Sequence, residues 1–257
     1  MLNSRASLAL FIILFASLCG FRPSANKKPS EALWLTTKKS TDSRTSYFEI
    51  DREGQVLLRL ETAEGIKVKR GKVKNNLAAD LFRETANSPA ISSRGGPEER
   101  LLAYSGELLA LSARTSGELK RVEAQLDSFG EAFAYAFSQA RDSALKLPDS
   151  GGPAGFLTAR IAGEADLQTL KAAAAGGTLP PAIETYEIRK IPQLFSAITQ
   201  PHRLIPLERS SYEQKLKDFI SLHKIYGRHN FFIISTTRGI FVCRILPGPA
   251  VKTDGKK

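Results

Sequence analysis

The chain has 257 residues, 42% hydrophobic and 25% charged, a globular composition that excludes disorder as the default state. Its formal charge of +11 favours an anionic partner. Cys19 and Cys243 are its two cysteines, so once Cys19 is cleaved off or acylated no intramolecular disulfide remains.

Met1 to Asn3 and Arg5 form a short positive segment, and Leu8 to Ala16 is an unbroken apolar run too short to span a bilayer. This order of charge, apolar run and small residues predicts a secretory signal over residues 1–20, followed by a Pro/Ser/Lys tether over 21–30. Cys19 closes the apolar run and Gly20 follows it, and in this the segment resembles a bacterial lipoprotein signal. The pattern departs at Leu18, where a small residue is usual, and at Ala16, where a larger aliphatic is usual. The resemblance implies lipidation of Cys19; ordinary cleavage near Gly20 or Ala25 is the other outcome.

Beyond the tether, Ala32 to Thr37 reads as a first strand. Tyr47–Asp51 and Gln55–Glu61 alternate about the turn Asp51–Gly54, predicting a hairpin with Phe48, Ile50, Val56, Leu58 and Leu60 buried. Ile66 to Lys72 adds a strand, and Asn76 is placed to cap a helix carrying Leu77, Leu81 and Phe82 that ends before Pro89. A loop over Ile91 to Glu99 leads to extended pieces at Leu101–Tyr104 and Leu108–Ala113, a turn at Arg114–Gly117, and a return strand, Leu119–Leu126.

Ser128 to Leu147 carries Phe129, Phe133, Phe137, Ala140, Ala144 and Leu147 at helical spacing, with Ser128 and Glu131 fitting a capping box and Pro148 as the stop. Glu131, Arg141, Asp142 and Lys146 interrupt it too often for a membrane span, so its aromatic face needs a sheet to pack on. The hairpin, helix and proline pattern that ends at Pro89 recurs roughly sixty residues later at Pro148. The expected class is α+β: antiparallel hairpins with helices on one face, as two ββα-like units over residues 31–148 sharing a sheet.

A second α+β region is expected over 149–246, with a disordered basic tail at 247–257. Phe156–Ala162 reads as a strand, Glu164–Ala175 as a helix stopped by Gly176, and Ala182–Lys190 as an extended piece. Gln193–Thr199 is a short helix and Leu204–Leu207 an edge strand. Ser210 and Glu213 open a helix whose stripe is Tyr212, Leu216, Phe219, His223 and Tyr226. A closing hairpin, Asn230–Ser235 with Ile240–Leu246, places Cys243 on the face of Phe241 and Ile245 as a buried, inert thiol.

Asp149-Ser-Gly-Gly-Pro153 resembles the nucleophile motif of trypsin-like serine proteases, which would make Ser150 the nucleophile. Pro148 replaces that family's leading glycine, and His202, His223 and His229 all follow the serine, whereas the family's order is His, Asp, Ser. A glycine-rich loop between regions explains the same residues. Ser150 with Asp166 or Asp218 and His223 gives a Ser-Asp-His order, but no Gly-x-Ser-x-Gly elbow holds the serine. His223, His229 and Cys243 match no zinc spacing, the glycine loops match no phosphate or dinucleotide motif, and Glu98 and Glu99 stand in a loop. No metal or cofactor is expected.

The densest charge cluster is Lys67, Lys69, Arg70, Lys72 and Lys74, with Lys67 and Lys69 expected on the solvent side of a strand. Lysines protecting a sheet edge give that pattern, as does a site for an anionic envelope polymer, lipid headgroups or another envelope protein. Nucleic acid is disfavoured, because no aromatic residues interleave with these charges. The expectation is an exported protein, secreted, periplasmic or anchored in the envelope, that binds a partner without catalysis. The alternative is an exported hydrolase with Ser150, His202, His223 and His229 as its site candidates.

Overall fold

Two antiparallel sheets, one of six strands and one of five, divide the chain between them in this computed structural model. It describes residues 31–39, 44–92, 107–115, 118–173, 181–208, 210–228 and 230–249. Cys19, His229, the glutamates at 98 and 99 and the predicted strand over 101–104 lie outside the described residues.

The first sheet has the order β4-β3-β2-β1-β5-β6. Its strands are β1 (Ala32–Lys39), β2 (Thr45–Asp51), β3 (Gln55–Thr62), β4 (Gly65–Lys72), β5 (Glu107–Thr115) and β6 (Glu118–Gln125). At the β2–β3 turn Gly54 adopts φ +78°, and a Cβ there would sit 2.8 Å from the Val73 carbonyl oxygen, so glycine is required. The same turn accepts the Val73 N–H at 2.9 Å. With Val73 pinned and buried, α1 (Asn75–Asn87) begins directly after Lys74, and Asn76 lies inside the helix rather than capping it.

Alternation and register give this sheet two different faces. Leu33, Leu35, Phe48, Ile50, Val56, Leu58, Leu109, Leu111 and Ala124 lie on one, in a single cluster with α1 and α3 (Glu131–Leu145). From α3 come Phe133, Phe137, Ala140 and Ala144, all buried. Phe133 stacks between Phe129 and Phe137, with centroids 5.0 and 6.2 Å apart, and Phe137 meets the edge of Phe48 at 5.8 Å. The start of α3 differs from the capping-box expectation: Leu126–Phe129 forms a 3₁₀ turn, and Gly130, at φ +91°, is the N-cap residue. Ser128 is consumed in that turn. Beyond α1, Pro89–Ser92 forms a further helical turn, α2, where the start of a loop was expected.

The second sheet has the order β8-β7-β11-β10-β9. It comprises β7 (Gly155–Ile161), β8 (Ile205–Leu207) at the edge, β9 (Tyr226–Arg228), β10 (Phe231–Thr236) and β11 (Gly239–Pro247). On one face Leu157, Ala159, Phe232, Ile234, Phe241 and Cys243 pack with three helices: α5 (Thr185–Arg189), α6 (Pro192–Thr199) and α7 (Ser210–Leu222). Leu170 of α4 (Glu164–Ala173) packs with Ile233 and Val242 on the other.

Two expectations fail here. Thr185–Arg189 is a helical turn, because Ile188 and Ile191 are buried at helical spacing while Tyr186 is exposed; the extended part is confined to the residues before it, where Ile183 bridges to Thr236 and Glu184 is the N-cap. The α7 stripe stops at Phe219, since Lys224 takes φ +48° and Tyr226 belongs to β9.

The two sheets meet through Ala32, Trp34, Tyr47, Leu57 and Val68 of the first with Phe156 of the second and Leu204, just before β8, one buried cluster. The described residues from Glu31 onward belong to one compact unit. Among the described residues no helix is long and apolar enough to cross a membrane.

Candidate functional site

The face of the first sheet turned towards the second carries buried charge, and its register shows how. Reading across the sheet, Val68 pairs with Arg59, Arg59 with Tyr47, Tyr47 with Thr36, Thr36 with Ala110 and Ala110 with Glu123. Paired residues share a face, so these six form one transverse row. The neighbouring row holds Thr45, Lys38 and Leu108, and the row on the other side runs through Arg70, Leu57, Glu49, Trp34, Ser112 and Arg121.

Where the second sheet covers this face incompletely, a cavity of about 300 Å³ remains. Its floor includes Arg59, Tyr47, Thr36, Lys38 and Arg121, and its roof is Thr158, His202, Leu204 and Leu246. Arg59 has only 3% of its side chain exposed. Its Nη1 donates to Glu61 at 2.8 Å and its Nη2 to the Pro247 carbonyl at 3.4 Å, while its Nε has no partner. Burial works against ionisation of Glu61, but hydrogen bonds from Arg59 and Thr45 outweigh it and hold the carboxyl below its usual range. Arg121 donates to Ser112 at 3.2 Å and reaches Glu123 only at 3.5 Å; burial lowers its pKa. The Lys38 side chain has no hydrogen bond or ion pair among the described residues. Three cations against the single carboxylate of Glu123 line the cavity.

His202, a predicted candidate, is in this roof. Its N–H donates to the Ala159 carbonyl at 2.7 Å, and it holds φ +66°. Burial first, then repulsion from Arg121 and Arg160, pushes its pKa down to about 4, so the ring is neutral at pH 7.

The remaining candidates are dispersed and engaged elsewhere. The Ser150 Oγ donates to the Val68 carbonyl at 3.2 Å and its N–H to the same oxygen at 2.9 Å. Beside it Asp149 pairs with Lys69 at 3.0 Å, docking the Asp-Ser-Gly-Gly-Pro loop on the edge of β4. Asp166 is held by Arg160 through two bonds of 2.6 and 2.9 Å, which lower its pKa. Asp218 accepts from Gln214 at 2.8 Å. His223 follows α7 with its ring 4.4 Å from that of Phe219 and its Nε2 unpartnered. Cys243 is fully buried, and burial pushes its thiol pKa up. Among the described residues no hydrogen bond joins a histidine side chain to a serine, a carboxylate or Cys243, and no group of three or more His, Cys, Asp or Glu could hold a metal ion.

Of the basic cluster, Lys67 pairs with Glu64 at 2.6 Å, Lys69 donates to the Leu147 carbonyl at 2.6 Å besides pairing with Asp149, and Arg70 pairs with Glu208 at 2.8 Å. Lys72 and Lys74 are exposed. Register places Lys67 opposite Leu60 and Lys69 opposite Leu58, on the helix-covered face at its margin, while Arg70 faces the second sheet. Sequence reasoning passed over Lys38, Arg59 and Arg121. The signal that marks them is Trp34, Tyr47, Leu57 and Val68, apolar residues at the same strand parity as these charges, which identify a sheet covered on both sides.

Compared with known proteins, the chain matches no family model and no curated sequence.

Proposed function

We propose that this is an exported, non-catalytic binding protein of the cell envelope that recognises an anionic partner through the cavity between its sheets. The observation that carries the reading is the charge of the cavity wall: Lys38, Arg59 and Arg121 line it with Glu123 as the one lining carboxylate, and while Arg59 is paired with Glu61, the Lys38 ammonium has no partner among the described residues. An anion in the cavity would compensate that charge. The signal-like N-terminus and the charge of +11 support the same reading. The edge cluster fits it less well than the cavity, since Lys67, Lys69 and Arg70 are already paired within the chain.

The test is a binding screen on the purified mature protein with small and polymeric anions at low and high salt, beside an esterase, peptidase and glycosidase panel. Saturable, salt-weakened binding without turnover is the expected result. Turnover abolished by Ser150→Ala, or no anion bound at any salt concentration, would overturn the proposal.

A further inference from the structure

Resting on the anion reading of the same cavity, we infer that its ligand is a small amphiphile: one anionic head, carboxylate or phosphate, held by Lys38 and Thr36, and a short apolar body extending over β5. The floor divides along the sheet. Thr36 and Lys38 alternate along β1 on the face turned to the cavity. On the neighbouring strands lie the Thr45, Tyr47 and Arg59 side chains. Thr45 donates to Glu61 and Tyr47 to Glu49, whereas Thr36 has no side-chain hydrogen bond among the described residues. Arg59 is paired with Glu61 and its Nε is shielded from the cavity, so the donors left for a ligand on this side are the Lys38 ammonium and the Thr36 hydroxyl.

The next strand changes character. Leu108 and Ala110 of β5 form the floor, with Leu204 and Leu246 above them. An ion without an apolar body would leave these four side chains facing water, whereas a short alkyl chain removes them from it. Beyond them, at the far end of the apolar stretch, Arg121 donates to Ser112 and Glu123, so Lys38, without an ion pair among the described residues, is the cation left for the head. A cavity of about 300 Å³ holds on the order of ten water volumes, so the ligand has about ten non-hydrogen atoms. Octanoate and hexyl phosphate meet this description.

The test is calorimetric titration of the mature protein with octanoate, hexyl phosphate, acetate, inorganic phosphate and octanol. Octanoate or hexyl phosphate is expected to bind at one site per chain, and whichever binds more tightly identifies the head group. Acetate, inorganic phosphate and octanol should each bind at least tenfold more weakly, and lengthening the carboxylate from butyrate to octanoate should tighten binding about fourfold per methylene. Lys38→Gln should weaken octanoate at least tenfold, Arg59→Gln about threefold or less, and Arg121→Gln less than twofold. Lys38 is exposed, so its variant reports on binding even if Arg59→Gln fails to fold. Equal binding of acetate or phosphate and the longer anions overturns the apolar body while the anion reading stands. Octanol binding as tightly as octanoate overturns the anionic head. A larger loss from Arg121→Gln than from Lys38→Gln overturns its placement. If no small probe binds but a polymeric anion such as heparin does, the amphiphile fails and the anion reading survives; if nothing binds, both fail.

Discussion

His202 combines a strained backbone with a ring buried among cations. Its φ of +66° is unusual for a non-glycine residue, and burial beside Arg121 and Arg160 keeps the ring neutral down to about pH 4. The unfolded chain takes up the same proton near pH 6.5. Between those values the unfolded state binds more protons than the folded one, so stability falls as pH drops through that window and is not lost further below it. Allowing for solvent screening of a partly buried ring, the loss is on the order of 1–2 kcal/mol. Comparing urea unfolding of the wild type with His202→Asn, which tolerates the left-handed backbone, isolates this contribution. The wild type should lose more stability than the variant between pH 7 and pH 4, and equal losses would show that His202 is not the group responsible. None of this is legible in the sequence, because it depends on Arg121 and Arg160, which come from strands of different sheets. Arg59 escapes sequence reading for a related reason: with Leu58 and Leu60 on the helix-covered face, alternation alone assigns Arg59 to solvent.

Among the elements, α3 shows what sequence periodicity captures and where it stops. Helical spacing of Phe133, Phe137, Ala140 and Ala144 identifies the buried face, because the pattern depends on the helix alone. Its start depends on Gly130 and the turn before it, and a Ser-x-x-Glu match cannot reveal that the preceding residues form a 3₁₀ turn. The same limit explains Thr185–Arg189: a helix of one turn is too short to show a period, so Ile188, flanked by Ile183 and Ile191, reads equally well as extended chain. Phe133→Ala should cost about 3–5 kcal/mol, since the ring stacks between Phe129 and Phe137 and is 1% exposed. Tyr135→Ala, two residues away and 69% exposed, should stay within about 0.5 kcal/mol of wild type. Chemical denaturation of both variants checks the assignment, and comparable losses would mean that the face of α3 is wrong. Phe133→Asp, which buries an unpaired carboxylate, should not fold.

Across the whole molecule, the sheets are joined by polar contacts set around an apolar cluster. The Trp34 indole N–H donates to the Pro201 carbonyl at 3.3 Å, Arg114 donates to the Thr199 carbonyl at 2.9 Å, and the Leu204 N–H donates to the Tyr47 hydroxyl at 3.2 Å. Tyr47 in turn donates to Glu49 at 2.6 Å, and Glu49 also receives Arg203. Burial, then the charge of Glu49, pushes the Tyr47 phenol well above its ordinary pKa, so it stays a donor throughout the physiological range. Glu49 is the centre of this joint because one carboxylate satisfies a phenol from its own strand and a guanidinium from the other sheet's connection. Removing it leaves Arg203 and Tyr47 unmet together, so Glu49→Ala should cost about 3–5 kcal/mol. Arg203→Met keeps the side chain's bulk, leaves Tyr47 donating to Glu49, and should cost less. If the joint acts as a unit, the double variant will be more stable than the two single losses added together predict, by at least about 1 kcal/mol. Trp34, the single tryptophan, lies in the cluster between the sheets, so its fluorescence reports the joint while far-ultraviolet circular dichroism reports all the elements. The two signals should coincide through unfolding in the wild type. Fluorescence leading the circular dichroism in Glu49→Ala would show that the carboxylate holds the sheets together; additive losses with coincident signals would show that the apolar cluster does so without it.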